Sequence, residues 1–186
     1  MIRALFISGQ QGAGKTTIAS FVASLAKADG FVPVTLKFAD PLYEMHEAIM
    51  EIMSSYGIRR PDQNPHRVLL QMLGTDYGRV HLGESVWIDA FARRARTLLD
   101  SPKVIVLCDD VRFPNELVYA KATGGVTVRL SAPETQRALR AKKWGGTSHP
   151  SETSLTGVHD FDLHFDTSST PPDEVSGKIW TWMKSH

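Results

Sequence analysis

The sequence holds a single cysteine, Cys108, in 186 residues. A lone thiol closes no internal disulfide and builds no cysteine metal cluster, so a reducing cytosol is the expected compartment. An excess of charge of one sign is also missing, with 21 Lys and Arg against 20 Asp and Glu. No global field therefore draws the chain toward nucleic acid or an anionic membrane, and any anion site has to be local. No apolar run approaches the roughly 18 residues of a membrane span, and Leu5-Phe6-Ile7 near the start is too short for a secretory core. The expectation is a soluble, cytoplasmic protein. Repeats, low-complexity tracts and interdomain linkers are absent too. With 42% hydrophobic and 22% charged residues, what remains is one compact domain, 1–186, with a sizeable core.

Apolar segments of strand and helix length alternate along that domain. Leu5-Phe6-Ile7 runs into a Gly-rich turn and then into Ile18, Val22 and Leu25 at helical spacing. Val32 to Phe38 predicts a second strand, and Pro41 opens a helix with a stripe of Leu42, Met45, Ile49 and Ile52/Met53. Residues 59–65 predict a loop, with helical patterns from about His66 to Leu73 and about Ser85 to Leu99. Val104 to Cys108 is a continuous apolar run, as in a strand covered on both faces, and it ends at Asp109-Asp110. A short helix from Pro114, a strand from Val126 to Leu130, a polar helix, a strand around Phe161 to Phe165 and a C-terminal helix from Pro171-Pro172 complete the chain. Ser131 and Glu134 predict a capping box for the polar helix. The order predicts an α/β three-layer sandwich with a mainly parallel sheet.

Gly9-Gln-Gln-Gly12-Ala13-Gly14-Lys15-Thr16 fits the phosphate-binding pattern G-x-x-x-x-G-K-[ST] in full, between a predicted strand and a predicted helix. The glycines let backbone N–H groups face a phosphate chain at the positive end of a helix, with Lys15 on the β/γ oxygens and the Thr16 hydroxyl suited to Mg²⁺. Gly12, Ala13, Gly14, Lys15, Thr16 and Thr17 are the expected ATP-binding residues. Such sites also use a carboxylate at the end of another strand to organise the magnesium shell. Asp109 and Asp110 both qualify, and spacing does not choose between them. Farther on, Arg137 and Arg140 are i, i+3 neighbours on the polar helix, with Lys142 and Lys143 beyond and Gly145-Gly146 as a hinge. A solvated basic face is one reading. The other is a lid-like segment at about 131–152 whose arginines close over transferred phosphate.

Four further motifs, Lys37-Phe-Ala-Asp40-Pro41-Leu42, Gln71-Met-Leu-Gly74-Thr75-Asp76-Tyr77-Gly78-Arg79 with Trp87 after it, Asp110-Val-Arg112-Phe113-Pro114-Asn115-Glu116 and His149-Pro-Ser151-Glu152, resemble the bacteriophage deoxynucleoside monophosphate kinases. The resemblance runs from the Gly-rich loop to the last strand. It implies a P-loop nucleoside monophosphate kinase-like fold and transfer of the γ-phosphoryl of ATP, with Mg²⁺, to a deoxynucleoside monophosphate for viral DNA synthesis, in the host cytoplasm. It allows a homodimer and implies no direct contact with nucleic acid or membrane. By the same resemblance Lys37, Asp40, Gln71, Arg79, Trp87, Arg112, Glu116, His149, Ser151 and Glu152 bind the monophosphate. Lys15, Arg112, Arg137 and Arg140 are the expected catalytic residues, and the resemblance puts Asp110 with Thr16 at the metal. Plainer readings stand beside three of these: Trp87 as core, Gln71 as the cap of a buried helix, and His149 as an ordinary loop residue. Two residues depart from the family pattern. Thr16 follows the loop lysine where relatives often carry an acid, and Asp166 stands where an asparagine is usual. A P-loop kinase of another small acceptor, or a nucleotide-gated assembly ATPase, are the rival functions.

Overall fold

The computed structural model describes residues 3–59, 66–141 and 150–186. Among these residues five strands form one parallel sheet: β1 (Ala4–Ser8), β2 (Val32–Thr35), β3 (Val104–Val111), β4 (Val126–Ser131) and β5 (Leu163–Asp166), in the order β2-β3-β1-β4-β5. The helices are α1 (Lys15–Ala28), α2 (Asp40–Ser55), α3 (Arg67–Gln71), a π-helix (Met72–Leu82), α4 (Val86–Leu99), α5 (Pro114–Ala122), α6 (Glu134–Arg140), α7 (Pro150–Thr153) and α8 (Pro172–Ser185). The chain clusters into two compact units, Met1–Leu36 with Ala95–His186, and Lys37–Arg94.

In the first unit the two-residue period of the strands sorts side chains onto two faces. Leu5, Ile7, Ile105, Leu107, Val126, Val128 and Leu130 point to one face, where Ile18, Val22 and Ala26 of α1 and Val175, Ile179 and Met183 of α8 cover them. Fully burying such a side chain stabilises the fold by about 1.5–3 kcal/mol, so a one-residue slip of any strand would exchange that face for the one carrying Ser8, Cys108 and Thr127. On the second face Phe6 meets Tyr119 of α5 edge-on at 6.3 Å. The helix α8 buries Trp180 and Met183, and Trp182 is only partly covered.

Central β1 lies between β3 and β4, with Ser8 in register with Val111 and Arg129. The Gly-rich loop after Ser8 therefore leaves the sheet at its carboxyl edge, where open parallel sheets bind ligands. The β1–β3 pairing shifts between Phe6↔Cys108 and Ser8↔Val111, placing an extra residue around Asp109–Asp110. A bulge of this kind re-aims side chains beside a site. Both aspartates lie inside β3 rather than after it, and β2 is shorter than the sequence predicts, stopping at Thr35.

The second unit departs more from expectation. The helix predicted over His66–Leu73 is α3, and it continues as an 11-residue π-helix that ends on an i→i+5 bond from Gly83 N–H to the Gly78 carbonyl at 3.2 Å. Gly74 and Gly78 are buried in it; Leu42 lies against Gly74, and the Trp87 ring against Gly78. The Trp87 indole N–H donates to the Gly74 carbonyl at 2.8 Å. Phe38 and Phe91 pack at 4.4 Å between centroids. On α2 the most buried residues are His46 and Met50, one position on from the expected stripe, and His46 Nε2 accepts the His66 N–H at 3.0 Å. Among the described residues, no helix is long and apolar enough to cross a membrane.

Overpacking tests this arrangement. A Cβ at Gly78 would run into the Trp87 ring and the Leu73 carbonyl, so Gly78→Ala should destabilise by about 1–3 kcal/mol. Gly177→Ala on α8, where a Cβ meets nothing, should stabilise by up to about 1 kcal/mol. Urea unfolding followed by tryptophan fluorescence checks both signs.

Candidate nucleotide-binding site

The loop between β1 and α1 is shaped by two glycines in the left-handed region, Gly12 at φ 79° and Gly14 at φ 89°. Gly14 is also the N-cap of α1, with no side-chain cap, so the first-turn amides and the positive helix end face outward together. At Gly12 a second constraint applies, because a Cβ there would collide with the backbone of Arg137. Lys15 curls over the loop, its ammonium donating to the Gly9 carbonyl at 2.6 Å and the Gln10 carbonyl at 3.1 Å. Burial of the ammonium, and next the nearby Arg112 guanidinium, lower its pKa to about 8.

Thr16 Oγ1 donates to Asp109 Oδ2 at 2.6 Å. The carboxylate beside the loop hydroxyl is therefore Asp109, not the Asp110 that the resemblance implied. Alternation is the reason: Asp110 lies on the side of Cys108, whose Sγ–H donates to its Oδ1 at 3.1 Å. Burial, followed by that carboxylate, pushes the Cys108 thiol well above its ordinary pKa. A hydroxyl and a carboxylate are hard oxygen donors of the kind Mg²⁺ prefers, so Thr16 and Asp109 fit the metal. Among the described residues no group of three His, Cys, Asp or Glu side chains forms a metal cluster of its own.

Arg112 is fastened at both ends. Glu116 Oε2 accepts the Arg112 N–H at 2.7 Å and the Phe113 N–H at 3.1 Å. Glu116, which the resemblance put on the monophosphate, is therefore a buried carboxylate that caps the start of its own helix. The Arg112 guanidinium donates to Glu152 Oε1 at 2.6 Å and reaches the Ser151 carbonyl at 3.4 Å. Glu152, buried on α7, accepts the Gln11 N–H of the loop on Oε2 at 2.9 Å. Burial opposes its ionisation, but Arg112 and the Gln11 N–H outweigh it and hold the carboxyl below its usual pKa.

The basic segment after β4 also differs from expectation. Ser131 is the last residue of β4 and directs its hydroxyl to the Phe165 carbonyl at 3.4 Å; α6 starts after Pro133 with no side-chain cap. The predicted capping box is absent because the chain is still paired in the sheet at Ser131. Arg137 does not project from an open face: it is 4% exposed, donating to the Ala132 carbonyl at 3.0 Å and the Gln11 carbonyl at 3.2 Å. Arg140 is exposed and holds the Thr167 hydroxyl and carbonyl at 3.1 and 3.0 Å. Lys142, Lys143, Gly145, Gly146 and His149 lie outside the described residues.

Thr167, with no motif to announce it, has its hydroxyl 3.1 Å from the Ala13 carbonyl and 3.2 Å from the Ser131 carbonyl. It lines a cavity of about 370 Å³ with Gly14, Thr17, Arg140, Ser168 and Pro171. Asp166 caps the turn below, accepting the Ser168 N–H at 2.8 Å. Arg129 donates to the Ser8 hydroxyl at 2.8 Å beside the loop's first residue.

The other expected acceptor residues belong to the second unit. Asp40 Oδ2 accepts the Lys37 N–H at 2.8 Å, closing the turn that starts α2. Gln71 ends α3 and is half-buried. Arg79 donates to the Glu84 carbonyl at 3.0 Å. Trp87 is core, 7% exposed, with its N–H used inside the unit.

Comparisons with known proteins follow the same lines. No protein-family model matches the chain. A protein of Acanthamoeba polyphaga mimivirus named "Putative deoxynucleotide monophosphate kinase" is 27% identical over 175 residues, 84% of each chain. The fold is similar to TT1252 from Thermus thermophilus (TM-score 0.57, 16% identity, 100% of this chain and 98% of that one). It is also similar to the Mycobacterium tuberculosis APS kinase solved with AMPPNP and APS (0.56, 13%, 100% and 98%) and to the Acinetobacter baumannii shikimate kinase solved with shikimate (0.56, 15%, 100% and 94%). The fold is that of the P-loop kinases.

The lowered pKa of Lys15 has a stability signature. Between about pH 8 and its ordinary value of 10.5, the native chain has released a proton that the unfolded chain keeps, so this group makes stability rise with pH across that window. Urea unfolding at pH 7.5 and 9.5 should show the wild type gaining on Lys15→Met between the two; equal shifts in both proteins would contradict it.

Proposed function

We propose that the protein transfers the γ-phosphoryl group of ATP to a deoxynucleoside monophosphate. The observation that carries the ATP half is the loop itself, with outward first-turn amides, Lys15 over the loop and the Thr16–Asp109 pair on a P-loop kinase fold. The cavity lined by Thr17, Arg140 and Ser168 suits a nucleobase next to it, with the Thr17 and Ser168 hydroxyls for ring nitrogens and a guanidinium to stack on a ring face. The acceptor half rests on the four motifs and on the name of the mimivirus relative.

The chemistry asks little covalent work of the protein. The bond from the γ-phosphorus to its bridging oxygen breaks, a bond to an acceptor phosphate oxygen forms, and ADP leaves with the bridging oxygen. An acceptor phosphate is already an anion at neutral pH, so no general base is needed. Lys15 and Arg112 meet charge on the transferring group, and the loop amides hold the β-phosphate in line. Thr16 and Asp109 would hold Mg²⁺, which when bound offsets phosphate charge and orients the chain of phosphates. Arg137 acts one step back, fixing the Gln11 carbonyl and the loop's path. Lys37, Gln71 and Arg79 are the acceptor residues in this reading, with Arg79 on the monophosphate.

The direct test is ADP release with Mg·ATP across a panel of deoxy- and ribonucleoside monophosphates, with shikimate, a sugar and no acceptor as further arms. Stimulation by deoxynucleoside monophosphates, lost roughly 10²-fold or more in Lys15→Ala, is expected. Stimulation only by a non-nucleotide acceptor, or turnover indifferent to any acceptor, would replace the reading with one of the two rivals. Asp109→Asn should raise the Mg²⁺ needed for half-maximal turnover by about tenfold or more, as loss of one charged ligand does. Asp110→Asn should leave it close to wild type, and a Mg²⁺ titration of each variant decides between the two aspartates.

A further inference from the structure

Glu152 stands at the meeting point of three parts of the chain. One oxygen takes the backbone N–H of Gln11, inside the phosphate loop, at 2.9 Å; the other takes the Arg112 guanidinium at 2.6 Å. The residue is buried, and Arg112 is about one-third exposed. Nothing else in the sequence marked this carboxylate for such a place, and the resemblance had put it on the acceptor. A carboxylate with both oxygens occupied by the protein is poorly suited to bind an anionic acceptor, which it would repel. It is well suited to hold a guanidinium, because a charge-assisted bond to a buried partner restrains a long side chain that would otherwise sample many rotamers.

We infer that Glu152 is a positioning residue, which fastens Arg112 to the edge of the phosphate loop so that the guanidinium and Lys15 face the same phosphoryl group. Glu116 fixes the backbone of Arg112 and Glu152 fixes its head. With both ends held, the cation stands in place before substrate arrives and needs no reorganisation when charge develops. The link to Gln11 makes the hold relative to the loop itself: a shift of α7 would move the guanidinium and tug the loop amide together. The inference rests on the proposed phosphoryl transfer for its readout, not for its geometry.

The test is a double-mutant cycle in the full-length protein, using Glu152→Gln, Arg112→Ala and the pair. Two quantities are measured: turnover of Mg·ATP at saturating acceptor, and affinity for a non-hydrolysable ATP analogue. Glu152→Gln should lower kcat about tenfold or more while changing the acceptor KM less than threefold, and should do little further in the Arg112→Ala background, because both substitutions remove the same aligned cation. Glu152→Asp, which keeps the charge, should recover part of the loss. Thermal unfolding of each protein separates folding defects from misalignment. Equal factors in both backgrounds, or a Glu152→Gln effect confined to the acceptor KM, would overturn the inference and return Glu152 to the acceptor. If no acceptor stimulates the wild type, the proposed function fails instead. The same cycle is then read from acceptor-independent ATP hydrolysis and from analogue affinity, where additive effects would reject the positioning role.

Discussion

The molecule depends on how one flexible Gly-rich loop is held rigid. Glycines give the loop its left-handed turns, and they also give it the largest conformational entropy to lose. Two loop amides are engaged, Gln11 N–H by Glu152 and Ala13 N–H by the Gln10 carbonyl, but the structure ties the loop down mostly through its carbonyls. Gly9 and Gln10 offer theirs to Lys15, Gln11 to Arg137 and Ala13 to Thr167, while the Gly14 carbonyl starts the α1 ladder by accepting from Ile18. The side-chain ties to these carbonyls come from three places, the loop's own lysine, α6 and the turn after β5. With the carbonyls turned toward cations and hydroxyls, the peptide dipoles are oriented and the first-turn amides point the other way. Anion binding is then a property of the packed fold rather than of the Gly-rich sequence alone.

That dependence explains which parts were legible in the sequence. The loop motif was legible because its requirements are local: glycines, a lysine and a hydroxyl at fixed spacing before a helix. The parallel sheet followed from apolar runs alternating with helical stripes. The choice between Asp109 and Asp110 was not legible, because it depends on strand phase and on a register shift at that very point. Arg137 looked like a solvated or closing charge because its helix is polar. Its burial comes from the approach of Gly12, more than a hundred residues away, and the same glycine that looks like part of a phosphate motif is what lets α6 pack on the loop. Glu116 caps its own helix and Glu152 holds Arg112 and the Gln11 amide, places that the sequence does not reveal, since a carboxylate that caps a helix and one that meets a ligand look alike in one dimension. The π-helix was invisible because its period fits neither of the two templates used to read apolar patterns, and only the paired glycines facing Leu42 and Trp87 betray it afterwards.

The charge balance follows the same local logic. Lys15 and Arg112 lie among Asp109, Asp110 and Glu152, each of which acts on the lysine, so the site is not a pool of positive charge. Cations packed without carboxylates would repel one another, and a desolvated lysine gives up its proton more readily, the direction in which burial and Arg112 move Lys15. Acids beside them restore charge and direction at once. The near-neutral chain as a whole is consistent with this arrangement, because attraction for phosphate is produced by a few oriented groups and not by a field over the surface.

The connection between β2 and β3 makes the last point. These strands are parallel neighbours, and a crossover between such neighbours needs little more than one helix. Here the chain instead runs from Thr35 through α2, α3, the π-helix and α4 before it reaches Val104, and most of that stretch is the second compact unit with its own buried tryptophan and aromatic pair. Sheet connectivity does not require it. The first unit already has its helices on both faces, its loop and its carboxylates, so the surplus has to be explained by what the second unit adds. Lys37, Gln71 and Arg79, the cation, amide and guanidinium proposed for the acceptor, all lie within it. A fold that keeps its Gly-rich loop in one unit and the residues proposed for the acceptor in a long crossover can alter the second without disturbing the ties that hold the first.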